Sequence, residues 1–204
     1  MTDLPPPRTP GEYHLALVCL GNICRSPMAH VVLAQRLADA GLADRVSLTS
    51  SGTGGWHVGD PMDERAAATL TAAGYDASRH RARQFDPGSH ERLDLVLAMD
   101  RQNLADVVST SSTDGGRSTD GGRSTDGQRS TDGRRPTDGG RSTDEGRVLL
   151  FRDFDPVETG GEVPDPYYGG PDGFEEVLTM VERTAQSLVD RLADHLDVQR
   201  SRRG

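Results

Sequence analysis

Apolar residues occur in short bursts separated by polar and glycine-rich stretches, and the spacing inside each burst predicts an element. Tyr13–Cys19 (YHLALVC) is apolar enough for a parallel strand buried on both faces. Ser26 followed by Pro27 predicts a helix start, with Ser26 as N-cap and Pro27 in the first turn; this helix runs to about Ala40 and stops at Gly41. Val46–Ser51 predicts a second strand, and the glycine-rich turn Gly52–Trp56 follows it. Asp60–Ala73 predicts a helix ended by Gly74, Leu93–Met99 a third strand, Asp100–Val108 a short helix capped by Asp100, and Val148–Phe151 a fourth strand. Phe174, Val177, Leu178, Val181, Ala185, Leu188, Val189, Leu192 and Leu196 fall on one helical stripe of about six turns, which predicts a long final helix.

Strands alternating with helices imply an α/β fold: a four-stranded parallel sheet with helices on both faces, in three layers. In such sheets the functional site lies beyond the C-terminal ends of the strands. The loops that matter are therefore 19–26, 51–60, 99–101 and 152–170.

Residues 1–12 are proline-rich and are expected to form a disordered tail, as are residues 199–204. Between them, 13–198 is expected to be one domain, interrupted at 109–147. That interruption holds six hexads in a row, from STDGGR at 112–117 to STDEGR at 142–147, with no apolar residue to bury. The hexads read as a flexible linker with balanced charge. Lengthening a loop to this size costs only about 2 kcal/mol of closure entropy. As a helix-to-strand connection, the insert is expected on the side of the sheet away from the site.

Composition narrows the possible functions. The chain has 204 residues, 33% of them apolar, enough for one core of ordinary size. All 23 basic residues are arginine, against 32 acidic ones, for a net charge of −9. That balance argues against nucleic acid or an anionic membrane as partner. The longest apolar run, Leu15–Leu20, is far too short to span a bilayer, and the N-terminus lacks the design of a secretory signal, so a cytoplasmic location is expected. Cys19 and Cys24 are the two cysteines, which excludes a disulfide-rich scaffold and an all-cysteine zinc site. The histidines show no metal-ligand spacing, and no metal or cofactor is expected.

Chemistry concentrates in Cys19-Leu20-Gly21-Asn22-Ile23-Cys24-Arg25-Ser26-Pro27, between the first strand and the first helix. A loop of this length can wrap one phosphate group with backbone N–H groups. Gly21 permits close approach, and Asn22 tolerates a left-handed conformation. The loop delivers the anion to a helix N-terminus, and Arg25 offers a planar fork to two phosphate oxygens. The same positive surroundings favour the thiolate of Cys19, toward which Ser26 can donate. A thiolate inside a phosphate cradle attacks phosphorus. The leaving oxygen then needs an acid, and Asp165, held between Pro164 and Pro166, is the candidate. Tyr167 and Tyr168 are expected to wall a slot for an aromatic ring, with Trp56 facing them.

On these motifs the chain resembles the low-molecular-weight protein tyrosine phosphatases. VCLGNICRSPMA, SSGTGGWHVGDPMDERA, HRARQF, LAMDRQN and DPYYG occur in the family's order over about 13–108 and 148–195. The resemblance implies Cys19 as nucleophile, Arg25 as phosphate ligand and Asp165 as general acid and base. It implies Asn22 and Ser26 as holders of loop and thiolate, with His80 and Ser51 in support. It also implies Cys24 as a redox partner of Cys19, tyrosine-phosphorylated proteins as substrates, and a cognate kinase acting on the tyrosine pair. The departures are the insert and Ser51 where alanine is expected.

Three other readings stay open. A protein arginine phosphatase of the same fold carries a small hydroxylated residue where this chain has Ile23, which narrows the pocket. An arsenate reductase needs further cysteines beyond Cys24. A non-catalytic phosphotyrosine binder would not need Cys19, Arg25 and Asp165 together.

Overall fold

The computed structural model describes residues 2–111 and 145–201. The hexad insert therefore lies almost wholly outside the described residues, as do 202–204. Four strands, β1 (Tyr13–Cys19), β2 (Val46–Gly52), β3 (Leu95–Ala98) and β4 (Val148–Leu150), form one parallel sheet in the order β2-β1-β3-β4. β1 is central, pairing Tyr13 with Val46 on one side and Leu15 with Leu95 on the other. The chain turns to opposite sides after β1 and after β2, so the end of β1 is a topological switch point, where parallel sheets open a crevice for ligands.

Four helices cover the sheet: α1 (Arg25–Asp39), α2 (Glu64–Ala72), α3 (Arg101–Ser111) and α4 (Pro171–Ser201). Alternation along β1 divides the apolar load. Tyr13, Leu15 and Leu17 join α1, α2 and α4 in the larger core; Ala16 and Val18 join Phe85, Leu93 and Val107 of α3 in the smaller one. The whole apolar stripe of α4 is buried in the larger core. Burying a Leu or Phe side chain contributes about 1.5–3 kcal/mol, so this stripe is a main source of the fold's stability.

Several boundaries differ from the sequence reading. α1 begins at Arg25 with Cys24 as N-cap, not Ser26, because the Ser26 side chain is drawn into the loop. α2 begins at Glu64, about a turn later than expected; Asp63 caps it by accepting from Arg65 N, while Asp60 is bonded to His57. α3 extends to Ser111, capped as expected by Asp100 accepting from Asn103 N. After β4 a single 3₁₀ turn, Phe151–Phe154, buries two phenylalanines.

The proline-rich start also differs from the loose tail expected. Residues 2–12 lie against the domain: Leu4 packs on the larger core, and Arg8 donates to the Leu93 carbonyl and to the buried Asp94. Prolines deny this segment a ladder but not docking. At the other end, α4 continues through 199–201, where a tail was expected. α3 and β4 leave the insert's flanks at the N-terminal edge of the sheet, where Arg147 donates to the Asp94 carbonyl.

Candidate active site

The loop between β1 and α1 folds around the sulfur of Cys19. Asn22 N donates to Sγ at 3.2 Å, and Ser26 Oγ lies 3.0 Å from it. Asn22 is fully buried and is the one non-glycine residue at positive φ among those described, at 55°. The short amide that tolerates this conformation also holds it. Nδ2 donates to Ser26 Oγ at 2.8 Å and Ser50 Oγ at 3.2 Å, and Oδ1 accepts from Arg83 N at 2.9 Å. The Asn22 carbonyl accepts from the His80 ring at 2.7 Å. Burial lowers the His80 pKa, so its neutral ring donates here through one tautomer. Because no side chain caps α1, its N-terminus faces the loop uncapped, the geometry that attracts an anion.

Arg25 is buried beside the sulfur. Its Nη1 donates to Asp100 Oδ2 at 2.5 Å and to the Val163 carbonyl, and its Nη2 to Asp165 Oδ2 at 2.9 Å. Burial works against the guanidinium charge, but the Cys19 sulfur, Asp100 and Asp165 outweigh it and hold its pKa above the ordinary value. Asp165 also accepts from Tyr167 N at 3.1 Å, a tight Asx turn set between two prolines.

The segment carrying Asp165 is anchored from below. Asp155 is fully buried between Arg152 and Arg183, and Arg183 meets it with two nitrogens at 2.9 and 2.8 Å. Arg152 also donates to the Glu162 carbonyl, and Val163 N donates to the Met99 carbonyl. The stretch leading to Asp165 is thereby tied to α4 through Arg183 and to the end of β3 through Met99.

Cys19, Arg25 and Asp165 open into one cavity of about 260 Å³. Leu20, Gly21, Ile23 and Cys24 line its base, and Trp56, Tyr167 and Tyr168 line its walls. Trp56 is 67% exposed and Tyr168 93% exposed, so neither is a core residue. The Trp56 ring lies over Gly54, where a Cβ would fall 2.2 Å from it. Arg65 holds the opposite wall, donating to the Tyr167 carbonyl at 3.0 Å with its guanidinium over the Tyr167 ring. Burial, then Asp63, Cys19 and Asp165, push the Cys24 thiol up to about 12, so it stays protonated at neutral pH.

The residues expected at the site line this cavity, apart from Asn22, Ser26 and His80, which are joined to it through hydrogen bonds in the loop, and with one change. Ser51 takes part through its carbonyl, 3.3 Å from Ser26 Oγ, and the side chain that supports the loop is Ser50. Sequence reasoning missed Asp100 as an Arg25 ligand, the cavity-lining His57, and the Arg152–Asp155–Arg183 cluster. It treated Asp100 only as a helix cap. The position of Asp100 directly after the third strand, at the C-terminal edge of the sheet, is the signal that points to it. Among the described residues, no group of three or more His, Cys, Asp or Glu could hold a metal ion, and no helix is long and apolar enough to cross a membrane.

Residues 14–118 and 134–199 match the family model described as low molecular weight phosphotyrosine protein phosphatase. The chain is 40% identical over 187 residues to a low molecular weight protein-tyrosine-phosphatase of Streptomyces coelicolor, covering 91% of this chain and 96% of that one. It is 38% identical over 186 residues to low molecular weight protein-tyrosine phosphatase A of Mycobacterium tuberculosis, covering 90% and 93%. Among solved structures it is similar to a protein tyrosine phosphatase from Entamoeba histolytica, with a TM-score of 0.71 at 25% identity over 90% of this chain and 98% of that one.

Proposed function

The chain belongs to the low molecular weight phosphotyrosine protein phosphatase family and is a phosphoric monoester hydrolase acting on phosphotyrosine; from that premise we propose how its own residues perform the reaction. The convergence of Cys19, Arg25 and Asp165 on one aromatic-walled cavity carries the proposal. The Cys19 thiolate attacks phosphorus, forming an S–P bond as the P–O bond to the tyrosine breaks. Asp165 gives its proton to the departing phenolate oxygen. Arg25 and the loop N–H groups take up the charge on the three equatorial oxygens. Water then attacks the phosphocysteine, Asp165 accepts its proton, and phosphate leaves with the thiolate restored.

Asn22 and Ser26 hold the loop and thiolate in this scheme, His80 and Ser50 hold Asn22, and the Ser51 carbonyl orients Ser26. Trp56 and Tyr167 clasp the phenyl ring. Ile23 and the tyrosine pair favour an aryl ester over phosphoarginine. The same proposal places the protein in the cytoplasm and makes exposed Tyr168, with Tyr167, a target for a cognate tyrosine kinase. Cys24, protonated and lining the same cavity as Cys19, is the proposed trap for oxidised Cys19.

A single-turnover experiment with aryl phosphate tests the mechanism. A phosphocysteine should accumulate on Cys19 and disappear, with all hydrolysis, in Cys19→Ser. Activity that survives this change removes the proposed nucleophile, and phosphoarginine hydrolysed faster than phosphotyrosine overturns the preference for an aryl ester.

A further inference from the structure

Across Asn22 from the phosphate cavity lies a second, larger hollow of about 610 Å³, between α1, the edge of β2 and residues 75–83. Ligand cavities run from roughly 300 to 1,000 Å³, so it has room for a small molecule. Arg79, Arg81 and Arg83, alternate residues of one short stretch, all line it. The chain as a whole carries a net charge of −9, yet these three guanidinium groups face one carboxylate lining the hollow, Asp76, which stands 3.9 Å from Arg79. Neither Arg81 nor Arg83 has a carboxylate partner among the described residues.

The arginines are exposed side chains, and the backbone at Ala82 and Arg83 is held on both sides. Arg83 N donates to Asn22 Oδ1, and the Arg83 carbonyl accepts from Gly52 N at 2.8 Å. Ala82 is bonded to both Asp60 and Gly59. Arg81 Nη1 donates to the His80 carbonyl at 2.6 Å, which turns its guanidinium along the rim. Burial lowers the pKa of both His30 and His80, so the positive charge of the hollow rests on the arginines. Apolar Val31, Ala34 and Leu48 also line it, leaving room for a compact body behind an anionic head.

We propose that this hollow is a second anion site, taking a free small molecule that carries a phosphate group. Guanidinium groups carried on a hydrogen-bonded backbone, two of them (Arg81 and Arg83) with no carboxylate partner among the described residues, are the donors that phosphate recognition requires. The catalytic loop stands between the two cavities, so the occupant is a free anion and not a second phosphate on the substrate bound at Cys19. His80 and Ser50 line this hollow and also hold Asn22, so the two sites share a wall.

Tungstate, a phosphate mimic, tests this with the full-length protein at low ionic strength. Calorimetry should give two ions per chain, and anomalous diffraction should place one at Cys19 and Arg25 and the other at Arg81 and Arg83. The double variant Arg79→Gln/Arg81→Gln, which removes two of the three cationic donors, should weaken the second ion by about tenfold or more. It should leave the first ion and aryl-phosphate turnover within about twofold of wild type. Arg83→Gln should weaken the second ion similarly. One ion per chain, at Cys19, overturns the second site and leaves the catalytic reading standing. A second ion indifferent to all three substitutions also overturns it, and no ion at all defeats both readings.

Discussion

Gly52 ends β2 directly against the catalytic loop, and a methyl group there has no room. A Cβ on its backbone would lie 2.6 Å from the Leu20 carbonyl oxygen, 3.0 Å from the Gly21 carbonyl carbon and 3.1 Å from Asn22 N. All three are backbone atoms, so no change of rotamer relieves the overlap. Restoring a contact of 3.4 Å to the Leu20 oxygen requires a shift of about 0.8 Å. The loop cannot simply swing away, because Thr53 N and Gly54 N donate to the carbonyls of Cys19 and Leu20. Overpacking of this kind costs about 1–3 kcal/mol of stability. A displacement near 1 Å in a group that positions the reaction costs on the order of 10²-fold in rate. Gly52→Ala is therefore expected to fold, melt somewhat earlier, and lose about 10²-fold in kcat on p-nitrophenyl phosphate. Gly41→Ala is the control: Gly41 has φ of 69° with nothing within 4 Å of a Cβ, and it ends α1 far from the cavity. That substitution should cost about 1 kcal/mol in thermal unfolding and leave turnover unchanged. If Gly52→Ala retained wild-type kcat, or lost no more than Gly41→Ala, close packing beneath the loop would not be what positions the sulfur.

Asp165→Asn should slow phenyl phosphate hydrolysis by on the order of 10²–10⁴-fold yet spare dinitrophenyl phosphate, whose leaving group needs no proton; equal losses in steady-state rates would make Asp165 structural. Asp155→Ala leaves Arg183 without its carboxylate and Arg152 with Glu158 alone, and should cost about 3–5 kcal/mol in urea unfolding, whereas a loss near zero would mean that the cluster is dispensable. Burial opposes the Asp155 charge, but Arg183, the Val157 N–H and Arg152 prevail and hold its pKa well below the ordinary value. Its contribution is thus complete above about pH 4 and drains away as pH falls further, so the wild-type advantage over Asp155→Ala should shrink in unfolding measured at pH 3. With its thiol pushed up to about 12, Cys24 should resist iodoacetamide at pH 8 in the folded protein, and mass spectrometry finding it alkylated as fast as an unfolded control would contradict its burial. Deletion of 112–144, which spares the Arg147 contacts, should leave kcat/KM within about twofold; a tenfold loss with the fold intact would place the insert near the site.

How far the sequence carried depended on whether a residue acts locally or across the fold. The Cys19–Arg25 loop was legible because its requirements are local: a strand end, a residue tolerant of positive φ, a helix N-terminus and a guanidinium within one short stretch. α4 was legible because a long 3.6-residue stripe has no competing interpretation. Ser26 was misassigned as a cap because its hydroxyl has two possible uses, and only the folded loop shows that Cys19 Sγ, Asn22 and the Ser51 carbonyl claim it. Ser50 and Ser51 point to opposite faces of β2, so telling them apart needs the strand's register, which adjacent serines do not reveal. The tail at 2–12 depended on Asp94, a residue more than 80 positions away from Arg8 in the chain. Asp155 and Arg183 lie 28 positions apart, and nothing in their local surroundings announces a pair.

Asp100 is the residue whose two bonds bear most directly on the proposed chemistry. One carboxylate oxygen caps α3 through Asn103 N, and the other takes Nη1 of Arg25. The cap fixes the carboxylate to the helix that follows β3, and the carboxylate fixes one corner of the guanidinium. With Nη1 engaged by Asp100 and Val163, the donors left to face the loop are on the Nη2 and Nε edge, and Nη2 now donates to Asp165. In the proposed complex the phosphoryl oxygens compete for that edge, and a doubly charged phosphate is a stronger acceptor than one carboxylate. Arg25 would then pivot little, because Asp100 keeps hold of it, while Asp165 is released toward the bridging oxygen of the ester. On the proposed mechanism the same guanidinium would hold the acid beside the cavity in the free enzyme and release it as substrate arrives, coupling phosphate binding to the positioning of the proton donor.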